Sequence, residues 1–341
     1  MPPTYHSTRG RAEPASFTTA LLGGLAPDGG LYVPDHWPQI DTKQLKGKGY
    51  PDLAADVMTP LIDKVPGHQD LHSLLHSIYD RQAGIFRDSE VTPLSQIGDN
   101  TWLLELYHGP TLAFKDVALQ LLARLLDAAL AEKGERATII GATSGDTGSA
   151  AIEACRHCAN VDIVILHPKG RVSEVQRRQM TTVMADNVHN IAIEGTFDDC
   201  QALVKAMFND PDFRHRHNLT AVNSINWARI TAQIVYYFAA ALQFEEPVRF
   251  AVPTGNFGNI YAAHAARRMG LSIDELIIGT NVNDALAHFL ATGEMRTGAV
   301  TPSHSPSMDI QTPSNAERYL YELLDGNSAQ LNSYMQALQD T

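Results

Sequence analysis

The hydrophobic pattern changes character near residue 90. Beyond residue 102, short continuous apolar runs recur at 138–140, 161–166, 188–193, 248–252 and 276–279. Runs of this length, bounded by turn residues, read as strands buried on both faces. Stretches with helical spacing lie between them, at 148–159, 173–184, 198–208, 227–243 and 259–269. Strand, turn and helix in alternation predict an α/β fold, with parallel sheets flanked by helices. The first ninety residues differ. They hold the turn-rich LAPDGGLYVP (residues 25–34), in which Asp28-Gly29-Gly30 reads as a hairpin tip, and then helical stretches at 53–65 and 71–79. A boundary is read at 87–93. The expected organisation is a mainly helical N-terminal extension (1–90), a smaller α/β region (91–222) and a larger α/β region (223–341).

Composition narrows the function classes. The formal net charge of −12 argues against a nucleic-acid binder, which carries a basic face to neutralise phosphates. Small anions remain possible ligands, because a few local donors outweigh a distant negative surface. No run approaches the ~18 apolar residues of a membrane span, and the opening MPPTYHSTRGRAEP lacks the apolar core of a secretory signal. A cytoplasmic location is therefore expected. Three cysteines cannot build a disulfide framework. Cys155 and Cys158 form a CxxC pair without the second pair that zinc requires. They read as helical cysteines without chemistry, and no metal is expected.

In α/β folds ligands collect at the carboxyl ends of strands, and four unusual segments fall at such places. The first runs from Tyr107 to Asp116, YHGPTLAFKD, and enters the helical stretch 117–130. A lysine at a helix entrance gains nothing from the dipole, which favours cations at the other end. Burial of Lys115 would suit an amine that bonds to a carbonyl. A lysine snorkelling at the surface fits the segment equally well. The second, Gly141 to Gly148 (GATSGDTG), joins a strand to a helix. It offers glycines for close approach, free N–H groups at the helix start and the hydroxyls of Thr143, Ser144 and Thr147. A plain N-cap is its other reading. The third, Pro253 to Asn259 (PTGNFGN), is again between strand and helix and reads as an anion cradle of backbone N–H groups. The fourth, Asn223 to Arg229 (NSINWAR), brings Ser224, Asn226 and Arg229 to one junction. There arginine could grip a phosphate or carboxylate bidentately, or asparagine could simply cap the helix.

Together with Ser7-Thr8-Arg9-Gly10, LAPDGGLYVP and Asn281-Val282-Asn283-Asp284, these segments resemble, in order and spacing, threonine synthases of the branch shared by bacteria and fungi. The likeness covers more than three quarters of the chain, and HGPTLAFKD with TSGDTG is its most specific part. The resemblance implies a fold-type II pyridoxal-phosphate enzyme, related to the tryptophan synthase β chain. It implies that Lys115 forms the Schiff base with pyridoxal 5′-phosphate. Gly255, Asn256, Phe257, Gly258 and Asn259 then hold the cofactor phosphate through their backbone. Thr143, Ser144, Gly145 and Thr147 face the substrate carboxylate, and Asp146, where related enzymes often carry asparagine, lies near the cofactor's 3′ oxygen. Ser224, Asn226 and Arg229 take the substrate's phosphate.

The implied reaction converts O-phospho-L-homoserine and water to L-threonine and phosphate, with Lys115 as the proton-shuttling base. A phospho-lyase that releases an α-keto acid and ammonia from the same substrate needs the same groups. Family members of this branch continue for about a hundred residues more and carry a Thr-Ala-His-Pro-type segment near the pyridine nitrogen. The nearest string here, Thr301-Pro302-Ser303-His304, has a different context. An incomplete chain, or a fragment without activity, is the reading of that difference. Oligomeric state and allosteric control are not legible in the sequence.

Overall fold

The computed structural model describes residues 1–68, 70–221, 223–295 and 298–339 of the 341-residue chain. They form two compact units. One gathers residues 1–48, 56–63 and 224–341; the other gathers 49–55 and 64–223. The expected extension 1–90 is thus not a body of its own, because its halves are shared out between the two units. The helix Tyr50–Met58 straddles the division. The chain passes for the last time from one unit to the other between residues 223 and 224.

The unit formed by 49–55 and 64–223 is built on a four-stranded parallel sheet. Its spatial order is Val188–Ile193, Val161–Pro168, Ala137–Ala142 and Leu219–Thr220. The central strands are the apolar ones, with Val161 and Ile163 fully buried and Ile139 nearly so. The helix Lys115–Lys133 packs on the helix Asp146–Cys155. It is buried around most of its circumference, including Val117, Leu121, Leu122, Leu125 and Leu126, so it lies within the core and not on its surface. Gly134, left-handed at φ 67°, ends it. A hairpin of Leu94–Gly98 and Thr101–Leu104 follows directly after the stretch 87–93. The helix Asp146–Cys155 ends three residues before Cys158, whose Sγ donates to the Ala123 carbonyl at 3.6 Å, so only one of the two cysteines is helical.

In the other unit, Val248–Pro253 and Ile273–Gly279 pair in parallel, linked by the helix Gly258–Arg268. The helix Trp227–Ala241 is the centre of its core, with fourteen of its fifteen residues buried. The strands Tyr5–Ser7 and Tyr32–Pro34 pair antiparallel. The Asp28 turn is therefore not a hairpin tip between its own flanks, since the chain before it is the helix Phe17–Gly23. Asp28 instead accepts from Gly30 N, Ser7 Oγ and Arg11 N at 3.0, 2.6 and 2.8 Å, and so fastens the turn to the first strand. No helix among the described residues is long and apolar enough to cross a membrane.

Candidate active site

Two loops of the 49–55/64–223 unit face each other, one leading into the helix Lys115–Lys133 and one following the strand Ala137–Ala142. Lys115 opens its helix with Phe114 as an N-cap that supplies no side-chain acceptor. It is 9% exposed, and its ammonium makes an ion pair with the carboxylate of Asp146. The partners come from sequence segments thirty-one residues apart. The surface-lysine alternative is thereby removed: a buried cation at the unfavourable end of a helix persists because an anion meets it. The Lys115 Nζ also stands 5.1 Å from the centroid of the Phe114 ring.

Asp146 is the first residue of the helix Asp146–Cys155, where the dipole favours a carboxylate, and its Oδ1 accepts from Thr147 N at 2.7 Å. The loop before it is shaped from within. Thr143 is buried, and its Oγ1 accepts from Gly145 N and Gly148 N at 3.0 and 2.9 Å. Gly145 sits at φ 145°, and a Cβ there would overlap the Gln176 side-chain amide. Thr143 and Gly145 therefore shape the loop. Ser144 and Thr147 are half-buried, and their hydroxyls have no hydrogen-bond partner among the described residues. Those two are the donors the loop can offer to a carboxylate.

The approach to Lys115 is fixed by Asp116. Its carboxylate accepts from Thr111 N at 2.8 Å and from Thr111 Oγ1 at 2.7 Å. A Cβ on Gly109 would collide with it, so glycine is required there. Leu112 adopts φ 64°, a left-handed backbone uncommon for a branched side chain. Burial pushes the Asp116 carboxyl up to about 6, against the opposing pull of the two Thr111 hydrogen bonds. His108 faces Glu105 at 2.7 Å and stacks on Tyr107 with ring centroids 4.9 Å apart. His108 and Asp116 thus both brace the loop that leads to Lys115.

In the unit holding 224–341, the turn 254–258 precedes the helix Gly258–Arg268, and Phe257 is left-handed at φ 63°. Among the described residues, none of the backbone N–H groups of 255–259 has an acceptor. A run of unpaired amides at a helix N-terminus is a nest for an anion and fits a phosphate group. A Cβ on Gly255 would press on Ile310 at 2.9 Å. The Asn259 side chain is turned back on the loop, accepting from Thr254 Oγ1 at 2.6 Å and donating to the Pro253 carbonyl at 2.8 Å.

The same unit brings residues 224–229 to that turn. Asn315 Nδ2 lies 3.2 Å from the Ser224 carbonyl and 3.1 Å from the Asn256 carbonyl, and Asn315 N lies 3.0 Å from the latter. Arg318, fully buried, pairs with Asn315 Oδ1 and donates to the carbonyls of Ile225 and Tyr32 at 2.6 and 2.9 Å. Sequence reasoning missed Asn315 and Arg318; a buried asparagine–arginine pair on a short amphipathic helix gave no motif to find. Asn226 caps the helix Trp227–Ala241, its Oδ1 accepting from Ala228 N at 3.0 Å and its Nδ2 donating to the Leu21 carbonyl at 2.8 Å. Its acceptor and one of its two donors are thus engaged in structure. Arg229, in the first turn of that helix, is 2% exposed. Trp227 is core, packed on Tyr5 and Trp37 and under the Arg318 guanidinium.

Residues 87–334 match the profile of pyridoxal-phosphate dependent enzymes, and residues 4–79 match that of the threonine synthase N terminus. A threonine synthase of Pseudomonas aeruginosa is 54% identical over 341 aligned residues, covering 98% of this chain and 72% of its own length. The crystal structure of a PLP-bound threonine synthase from Brucella melitensis superposes with a TM-score of 0.95 at 52% identity, over 99% of this chain and 74% of that one. A yeast threonine synthase structure gives 0.92 at 42% identity, over 98% and 71%.

Proposed function

This chain belongs to the threonine synthase family of pyridoxal-phosphate dependent enzymes, and from that premise we propose the roles of its residues. The reaction is the conversion of O-phospho-L-homoserine and water to L-threonine and phosphate. The observation that carries the assignment is the buried Lys115 amine facing Asp146 beside a donor-bearing loop. Lys115 would hold pyridoxal 5′-phosphate as a Schiff base, and the backbone of Gly255, Asn256, Phe257, Gly258 and Asn259 would hold its phosphate. When bound, that group supplies an electron sink for charge at the substrate's α carbon.

The chain's own residues do the rest. Ser144 and Thr147 donate to the substrate carboxylate, in a loop whose shape Thr143 and Gly145 set. Arg229, with Ser224, meets the substrate's phosphate, while Asn226 positions them by capping the helix. The Lys115 amine, once released, takes the α proton and returns protons at later steps; it is the basic group at this loop, and a primary amine can both accept and donate. Asp146 keeps that amine oriented and balances its charge. We place the reaction in the cytoplasm; the free thiols of Cys155, Cys158 and Cys200 suit a reducing compartment.

The test is Lys115→Ala, with turnover falling at least ~10³-fold. Borohydride reduction of the wild type, followed by peptide mass mapping, should find the cofactor on Lys115. Retained turnover, or an adduct on another lysine, refutes the role.

A further inference from the structure

Three side chains of the 49–55/64–223 unit, none with a part in the reaction above, converge on one point. His72 and His76 are four residues apart on the helix Leu71–Tyr79, a spacing that puts both on one face. Their Nε2 atoms lie 2.7 and 2.8 Å from the same oxygen, Oδ1 of Asp52, in the first turn of the helix Tyr50–Met58. The two rings are 4.3 Å apart between centroids, and the three ligand atoms lie within 4.8 Å of one another. Behind His76, Asp80 Oδ2 stands 3.3 Å from Nδ1.

One carboxylate oxygen satisfies one imidazole well. Two imidazoles aimed at it from one helix face form a ligand set around a common centre. We propose that Asp52, His72 and His76 bind a divalent ion of the zinc class, with water as fourth ligand and Asp80 orienting His76 from behind. Two imidazole nitrogens and one carboxylate select zinc, copper(II) or nickel over magnesium and calcium, which prefer oxygen throughout. Three protein ligands with one open position is a recurrent zinc arrangement. A carboxylate hydrogen-bonded to the far ring nitrogen is the usual outer support of a ligating histidine. With bonds of about 2.0–2.1 Å, tetrahedral ligand atoms stand roughly 3.4 Å apart. The Asp52 oxygen need only withdraw by a fraction of an ångström, and its half-exposed side chain is free to do so. The ion would tie the first turn of one helix to the face of another. Its binding free energy then adds to the stability of the fold by linkage.

The site is tested by titrating zinc chloride into the chelator-treated, cofactor-loaded chain in a non-coordinating buffer, read by calorimetry. One equivalent should bind, and His72→Ala or His76→Ala should each weaken it at least ~10-fold, with Asp80→Asn weakening it about 10-fold. The pair His72→Gln with His76→Gln should remove that equivalent while circular dichroism and threonine formation stay unchanged. Cobalt(II) substitution gives a second readout, a tetrahedral visible spectrum lost in the same pair. Absence of zinc binding in the wild type, binding unchanged in the pair, or loss of the ion on Cys158→Ser instead would each overturn the proposal.

Discussion

Asn315 grips Asn256 twice, through its backbone N–H at 3.0 Å and its side-chain amide at 3.1 Å, both on the Asn256 carbonyl. The anion nest at 255–259 is therefore held from outside its own segment, by a residue that also reaches the Ser224 carbonyl. Asn315 is itself fully buried and pinned by Arg318. Removing its side-chain amide takes this donor from the Ser224 carbonyl, and one of two from the Asn256 carbonyl, at a cost of about 1–3 kcal/mol for a buried group. Asn315→Ala should weaken cofactor binding roughly 10-fold or more and raise KM for the phosphorylated substrate as well. Fluorescence titration of the apo form with pyridoxal 5′-phosphate measures the first effect. Unchanged affinity would mean that the nest keeps its shape unaided.

Asp146 is the charged partner of Lys115, so Asp146→Asn separates charge from shape. The asparagine can still accept from Thr147 N, and the helix start is kept. Loss of a charge-assisted contact of about 1.5–3 kcal/mol predicts a fall in kcat/KM of roughly 10- to 100-fold. A merely structural role for Asp146 would lower thermal stability without moving the pH profile. The expected result is a displaced pH profile of kcat, with the melting temperature little changed.

Much of the fold is legible in the sequence. The strand read at 188–193 has those bounds in the structure, and 138–140 grew by one residue before and two after, to Ala137–Ala142. Parallel strands announce themselves as apolar runs because both faces are covered. The loops after them stood out because glycine, serine and threonine cluster there. What stayed hidden is what depends on distant contact. The hairpin Leu94–Gly98/Thr101–Leu104 is short and exposed, with Ile97, Trp102 and Leu103 left at the surface, so it shows no inside-outside alternation. The Asp28 turn looked like a hairpin tip because its flanks are apolar, yet its strand pairs with residues 5–7, which only folding brings near. Asn226 looked like a ligand residue and is chiefly a cap; capping and binding favour the same side chains, so sequence does not separate them.

Arg229 carries the assignment of the substrate's phosphate. Alanine would open a cavity at a 2% exposed position and confound binding with stability. Arg229→Lys keeps the charge and most of the volume but loses the planar fork that fits phosphate bidentately. KM for O-phospho-L-homoserine should rise about 10- to 100-fold with kcat far less affected, the pattern of lost ground-state binding. Cofactor affinity should not change. A variant that loses the cofactor instead would place Arg229 at the other phosphate.

Asp116 gives the fold a pH dependence of defined sign. Its carboxyl is raised by burial from an ordinary 3.8 to about 6. Between those values the folded chain holds a proton that the unfolded chain has released. The stabilising contribution is therefore complete below the ordinary value and is lost as pH rises through about 6. A displacement of this size corresponds to roughly 3 kcal/mol at neutral pH. Asp116→Asn removes the titration while keeping the clamp, since the amide can accept from Thr111 N and donate to the Thr111 hydroxyl. Relative to wild type the variant should therefore gain stability as pH is raised from 4 to 7.5. Urea unfolding at several pH values measures this, and parallel curves for the two proteins across that interval would show that the Asp116 carboxyl titrates in the folded chain as it does in the unfolded one. The clamp fixes the loop that ends at Lys115, so the charge on Asp116 is a cost the fold carries at neutral pH to hold that amine in place.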